Sequence, residues 1–290
     1  MKKFFLLLFL TTIISGCSNF IGTEKNDSLN STDITISTEE PTLTYTPTAI
    51  ASTNTPLPPT PTPIPFTHLC SPLENISLEE LPNIITGPFD RPPLGFDNRH
   101  QGVDFSYYRY KDDQDGISGL PVQSVLDGRV IAIIIDRNPY GNAVIIETPL
   151  DIIKTGWLPH LQLPQIEPTI IIDPRNMCPE EGQALDFDYN YRSLYLIYAH
   201  LQEPSTFHVG EKINCGQVIG AVGNTGKSTN PHLHFEIRIG PSNATFDSMA
   251  KYDTRASELE MYNYCVWRLS NLFQLLDPMI LLSYKESIIQ

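Results

Sequence analysis

The chain has 290 residues, of which 41% are hydrophobic and 10% aromatic. That is enough apolar surface for a core and too much for a chain disordered throughout. Nineteen basic against 33 acidic residues leave a net charge of −14, which excludes a sequence-independent nucleic-acid binder, because that activity needs a basic footprint.

The first segment has the form of an address. Lys2 and Lys3 precede an apolar run, Phe4 to Ile14, broken only by Thr11 and Thr12. The run is too short to span a bilayer comfortably but fits an export signal. It ends in Ile14-Ser15-Gly16-Cys17, which resembles the lipobox of bacterial lipoproteins. The resemblance implies a signal peptide over 1–16 and an acylated Cys17, so that a lipid anchors the protein to a membrane without spanning it.

Residues 17–67 read as a stalk. From Ser31 to Thr67, 37 residues hold 12 Thr, 8 Pro and 3 Ser, with no Gly, Lys or Arg. Such a stretch buries too little apolar surface to offset its chain entropy. Pro56-Leu57-Pro58-Pro59 and Thr60-Pro61-Thr62-Pro63 favour polyproline II. At about 3.1 Å per residue, a fully extended spacer reaches on the order of 100 Å.

Residues 68–290 have a globular composition in which strand signals dominate. They are Arg129–Ile135, Ala143–Glu147, Leu194–Leu201, Gln217–Val222 and His232–Ile239, separated by Gly, Pro and Asn turns. The pattern predicts a mainly β, antiparallel sandwich or barrel-like core. The single helical periodicity runs over Ser257–Leu276, with apolar residues at Leu259, Tyr262, Val266, Leu269, Phe273 and Leu276. Cys70, Cys178, Cys215 and Cys265 are too far apart for a metal knuckle. In an exported protein they are expected to form two disulfides, with three pairings open.

The chemistry lies in the histidines. His100-Gln101-Gly102-Val103-Asp104 sets an imidazole and a carboxylate four residues apart. In His232-Leu233-His234-Phe235-Glu236-Ile237, strand alternation puts His232, His234 and Glu236 on one face. A third strand ends in Tyr198-Ala199-His200-Leu201. One His and one Asp from the first motif and one His from the second make three zinc ligands, leaving a fourth position for water as catalytic sites do. His200 and the other member of the 232/234 pair remain as unligated imidazoles, suited to proton transfer and oxyanion stabilisation.

These residues resemble the lysostaphin/LytM-type zinc metallopeptidases that cut bacterial cell-wall peptides. The similarity covers His100 to Asp104, Gly119-Leu120-Pro121-Val122 with Asp127-Gly128-Arg129-Val130, and Tyr140-Gly141-Asn142. It continues through Tyr198 to Leu201, Val209-Gly210-Glu211-Lys212 with Gly216 to Gly220, and Gly223 to Glu236. Most of 86–239 is included, and Asp277-Pro278 resembles the family's terminal Asp/Asn-Pro within a closing segment, 277–283. The resemblance implies one Zn²⁺ per chain on His100, Asp104 and His234. It makes His200 and His232 the unligated catalytic pair, with Glu236 a carboxylate partner behind the ligands. The implied activity is zinc-dependent endopeptidase cleavage of peptidoglycan peptides, in a cross-bridge or a stem, by a lipid-anchored protein facing the cell wall.

Three departures stand out. Residues 148–193 and 241–276 are insertions, the second partly helical, and both are placed to border the groove. Asn230 stands where the family usually has Gly. Two rival classes are a catalytically silent relative that regulates another wall hydrolase, and a biotinyl- or lipoyl-type carrier over Val209–Gly226. The first is disfavoured because all five metal and catalytic positions are present. The second is disfavoured because Lys212 and Lys227 lack the flanking of a modified hairpin lysine and the histidines would go unexplained. The negative charge provides no long-range steering toward anionic wall polymers, so recognition falls to the groove and to tethering.

Overall fold

The computed structural model describes residues 66–107, 116–164, 172–179 and 187–284. These lie in one of the two units into which the chain divides, Thr60–Gln290. The leader, Cys17 and the stalk as far as residue 65 fall outside the described residues. Thr67, expected to end the stalk, is fully buried. Its amide donates to the Ile152 carbonyl and its hydroxyl accepts from the Asp127 amide. Folded structure therefore begins before residue 68.

The main sheet has eight strands: β1 (Ile85–Gly87), β2 (Val103–Phe105), β4 (Gly128–Arg137), β5 (Gly141–Pro149), β6 (Asp188–Leu201), β7 (Lys212–Ile213), β9 (Leu233–Ser242) and β10 (Gln274–Leu276). Their order is β1-β2-β9-β6-β5-β4-β7, with β10 also paired to β9. β3 (Pro121–Gln123) and β8 (Val218–Ala221) form a second, two-stranded sheet. Every strand pair is antiparallel, as the short alternating runs predict.

The long strands pack on both faces. Val130, Val144, Leu196, Phe235 and Ile237 share a buried cluster with Val122 and Ile219 of the small sheet. Ile131, Ile145, Tyr195 and Ile197 face a second cluster with Phe246, Trp267 and Phe273. β9 is consequently buried at all ten positions, the signature of a central strand covered on both sides.

The second cluster is closed by the segment following β9. It holds α2 (Glu258–Leu269), the second helix after the single-turn α1 (Leu158–Leu161). Ser257 and Glu260 form a reciprocal capping box that starts α2. The helix stops at Leu269, short of the expected Leu276. Residues 274–276 instead pair as a strand with Ile237–Ile239, next to the point where β2 stops pairing at Phe235. Buried backbone groups of β9 thereby gain partners they would otherwise lack. The ends of the expected insertions continue the sheet. Thr148 and Pro149 pair with Leu194 and Ser193, and Asp188 and Arg192 pair with Ser242 and Pro241.

Gly141 follows the β4–β5 turn at φ +66°. A Cβ there would lie 2.4 Å from Thr225, so the turn and the 223–232 loop can meet only at glycine. Asp277 caps α3 (Pro278–Leu282) by accepting from the Met279 amide at 2.9 Å. Disulfides join Cys70 to Cys215 and Cys178 to Cys265. The first ties the N-terminal segment to the residues before β8, and the second ties the β5–β6 connection to α2. Among the described residues no helix is long and apolar enough to cross a membrane.

Candidate metal centre

β2 and β9 are paired so that Asp104 and His234 sit directly opposite each other. Opposed residues of an antiparallel pair have Cβ atoms about 4.5–5.5 Å apart, so the side chains converge. His234 Nδ1 lies 2.8 Å from Asp104 Oδ1. His100, from the loop before β2, places Nε2 3.0 Å from the same oxygen and 3.2 Å from His234 Nδ1. Gly102 makes this approach possible, since a Cβ there would lie 2.5 Å from the Phe235 carbonyl and 2.8 Å from the His234 ring.

The outer nitrogens set the tautomers. His100 Nδ1 lies 2.8 Å from the Pro88 carbonyl, which only an N–H can satisfy. Its Nε2 therefore turns a lone pair inward. His234 Nε2 lies 3.6 Å from Glu236 Oε2 and is buried with no hydrogen-bond partner. A proton on that nitrogen faces a carboxylate and leaves a lone pair on Nδ1. Two imidazole lone pairs and a carboxylate oxygen then meet with no donor among them. This donor set fits a borderline divalent cation such as zinc. Among the described residues, His100, Asp104 and His234 are the one cluster of such groups close enough to hold an ion.

The electrostatics agree. Burial alone would raise the Asp104 carboxyl, but its close contacts with the His100 and His234 imidazoles hold it far below the usual carboxylate range. Burial opposes the charged form of His234, yet the Asp104 and Glu236 carboxylates push its pKa up to about 9. Without a cation, a proton fills the gap, and metal binding would release it.

His200 and His232 stand beside these three. Their rings are 4.7 Å apart, and His200 is 5.8 Å from His234. His232 Nε2 is 3.5 Å from Asp104 Oδ1. His200 donates from Nδ1 to the Thr225 carbonyl at 2.8 Å, and His232 likewise to Asn230 at 2.7 Å. Each therefore keeps Nε2 free for other work. Burial, with the neighbouring His234 and His232 charges, lowers the His200 pKa to about 3. Its backbone is left-handed at φ 62°, a strained conformation for a residue with a side chain.

All six residues that the sequence singled out around the site, Glu236 included, are thus gathered at one end of the β2–β9–β6 surface. The histidines line a cavity of about 980 Å³. Sequence reasoning did not single out Tyr140, Arg238 or Arg268. Arg238 is legible in retrospect: it lies two residues beyond Glu236 on the same strand face and bonds Glu236 Oε1 and Gln101. Arg268 has no such signal, since it comes from α2, 32 residues away in the chain.

The mainly antiparallel β architecture thus brings two histidines and a carboxylate together as a candidate site for a divalent cation. Residues 181–246 match the model of Peptidase family M23. Over 44 residues it is 54% identical to the DD-carboxypeptidase/endopeptidase Mpg of Neisseria meningitidis serogroup B, covering 15% of this chain and 10% of that one. The corresponding protein of Neisseria gonorrhoeae is 52% identical over 44 residues, with the same coverage. The chain thus spans about a tenth of the length of these curated relatives. Among solved structures, the catalytic domain of lysostaphin from Staphylococcus simulans aligns with TM-score 0.35 and 20% identity, over 72% of this chain and all of that one. A zinc-containing peptidase from Vibrio cholerae aligns with TM-score 0.29 and 26% identity, over 53% and 32%.

Proposed function

We propose that this protein is a zinc-dependent metalloendopeptidase that hydrolyses peptide bonds in bacterial peptidoglycan, in a cross-bridge or stem peptide. The observation that carries this reading is the convergence of His100 Nε2, Asp104 Oδ1 and His234 Nδ1 within 3.2 Å of one another, each with a lone pair turned inward. The Peptidase family M23 match and the similarity to the DD-carboxypeptidase/endopeptidase Mpg of the Neisseria relatives support the substrate class.

His100, Asp104 and His234 hold the zinc, and Glu236 steadies His234 from behind. A zinc ion there supplies Lewis-acid polarisation and brings the pKa of water toward neutrality. His200 and His232 handle the proton and the developing oxyanion. In both, Nδ1 is committed to a backbone carbonyl, which leaves Nε2 for this work. The export signal over 1–16, a lipid on Cys17 and the Thr/Pro stalk bring the catalytic domain, from about residue 67 onward, to the cell wall.

The test is zinc stoichiometry in the purified protein. One zinc per chain is expected, and His234→Ala or Asp104→Ala should lose most of it and all hydrolysis of peptidoglycan. Wild-type protein that carries no zinc after zinc-replete purification would overturn the reading.

A further inference from the structure

The α2 helix does more than cover the sheet. Two adjacent residues, Trp267 and Arg268, reach from it to the back of the candidate metal centre. Trp267 Nε1 donates to the Tyr140 hydroxyl at 3.1 Å, and Arg268 Nη1 donates to it at 3.0 Å. A phenolic oxygen accepts two hydrogen bonds and donates one. With both acceptor positions taken, the Tyr140 proton has one direction left, Glu236 Oε2 at 3.4 Å. Burial, modulated by Arg268 and Glu236, pushes the Tyr140 pKa up to about 12, so the proton is present throughout the neutral range.

Glu236 is fully buried and stays ionised only if its charge is compensated. Arg238 binds one oxygen, Oε1, and divides its remaining donors between Gln101 and the Phe273 carbonyl. The other oxygen, Oε2, is the one that faces His234 Nε2. Arg268 Nη1 lies 3.5 Å from it, with its guanidinium stacked between the Tyr140 and Tyr264 rings at 5.7 Å from each. Arg268 itself is nearly inaccessible, its side chain 8% exposed.

We propose that Arg268 is a positioning residue for the metal centre: through Tyr140 and Glu236 it fixes the orientation of His234, so that Nδ1 faces Asp104. This deepens the metallopeptidase reading and rests on it. The chain of contacts runs from α2 to Tyr140, then Glu236, then His234. It makes the segment after β9 part of the catalytic machinery.

The experiment measures zinc affinity of the full protein by competition with a chromogenic chelator, alongside melting temperature and the visible spectrum of the cobalt-substituted protein. Arg268→Met keeps the length and apolar stem of the side chain but removes the charge and the donors. It should weaken zinc binding by roughly 10–100-fold, the usual effect of losing an outer partner of a ligand, and alter the cobalt spectrum. Arg268→Lys should recover part of the affinity. Tyr140→Phe, which leaves every charge in place, should weaken binding in the same direction, and the double variant should lose less than the sum of the two. If Arg268→Met is too unstable to purify, Tyr140→Phe alone decides. Affinity and cobalt spectrum like wild type in either variant, with only the melting temperature lowered, would make the cluster structural and overturn the proposal. Wild-type protein without zinc would instead overturn the metallopeptidase reading beneath it.

Discussion

Replacing His200 by alanine separates proton handling from metal binding. The ring is 6% exposed, and its Nδ1 is held by the Thr225 carbonyl at 2.8 Å. It lies outside the His100, Asp104 and His234 trio. Losing the hydrogen bond costs roughly 1 kcal/mol, and the vacated volume adds about 1–2 kcal/mol. A domain of this size should then melt roughly 4–12 °C lower yet remain folded at 25 °C. The left-handed backbone at φ 62° is unchanged by alanine. His200→Gly should relieve about 1 kcal/mol of that strain while adding about 0.5–1 kcal/mol of chain entropy, so the two variants should have similar stability. Zinc content should stay at the wild-type level, while turnover falls by roughly 10²–10⁴, the range for losing a positioned acid or base. The assay combines bound zinc, melting temperature and initial rate on purified peptidoglycan. Loss of zinc would make His200 a ligand. Activity that tracks the folded fraction would make it structural, and an active, zinc-loaded variant would leave His232 alone in the role.

Two further perturbations probe the frame around the site. Gly102→Ala puts a Cβ 2.5 Å from the Phe235 carbonyl and 2.8 Å from the His234 ring, and neither neighbour is a flexible chain end. Roughly 1–3 kcal/mol of stability and most of the zinc affinity should be lost, as read by thermal unfolding and chelator competition; unchanged affinity would show that β2 can shift freely. Asp97 is partly buried, which on its own would raise its pKa, but hydrogen bonds from Tyr264 at 2.6 Å and Lys251 at 3.0 Å lower it instead. A carboxyl lowered on folding stabilises the protein above its unfolded pKa, about 3.9, and ceases to do so as pH falls through the folded value. Asp97→Asn should therefore be less stable than wild type at pH 6, with the difference closing below about pH 4; a constant difference across that range would refute the charge argument.

The sheet and the site were legible to different depths. β4, β5, β6, β8 and β9 show in the sequence because β-branched and aromatic runs end at Gly, Pro or Asn turns. His232 and His234 fall on one face by strand alternation alone. The pairing of Asp104 with His234 was not legible from spacing, because 130 residues separate them and register is a tertiary property. It came from family resemblance, and the antiparallel pairing of β2 with β9 gives its physical basis. The sequence pattern runs past the helix end at Leu269 because Phe273 and Leu276 continue a helical period. Both are apolar for a different reason: Phe273 packs in the cluster under α2 and Leu276 in the opposite one, with the chain extended between them.

The deepest unreadable feature is the double use of α2. Val266, Trp267 and Leu269 are buried in the second cluster or at its edge, and their periodicity announces packing and nothing more. Yet Trp267 presents its ring to Phe246 and Phe273 and its Nε1 to Tyr140, so one side chain both fills the core and directs a hydroxyl at Glu236. Arg268, the next residue, carries charge at the boundary of a hydrophobic helix face. In isolation that is the ordinary placement of a solvated cation near a helix C-terminus. It becomes informative only when the partner surface is known to hold a buried carboxylate. The bridge from Cys178 to Cys265 fixes α2 three residues before Arg268. The helix is thereby tied to the connection between β5 and β6 as well as packed on the sheet. Trp267 and Arg268 are thus held by core packing and a covalent link, whereas His200 and His232 are held at Nδ1 by contacts with loop residues.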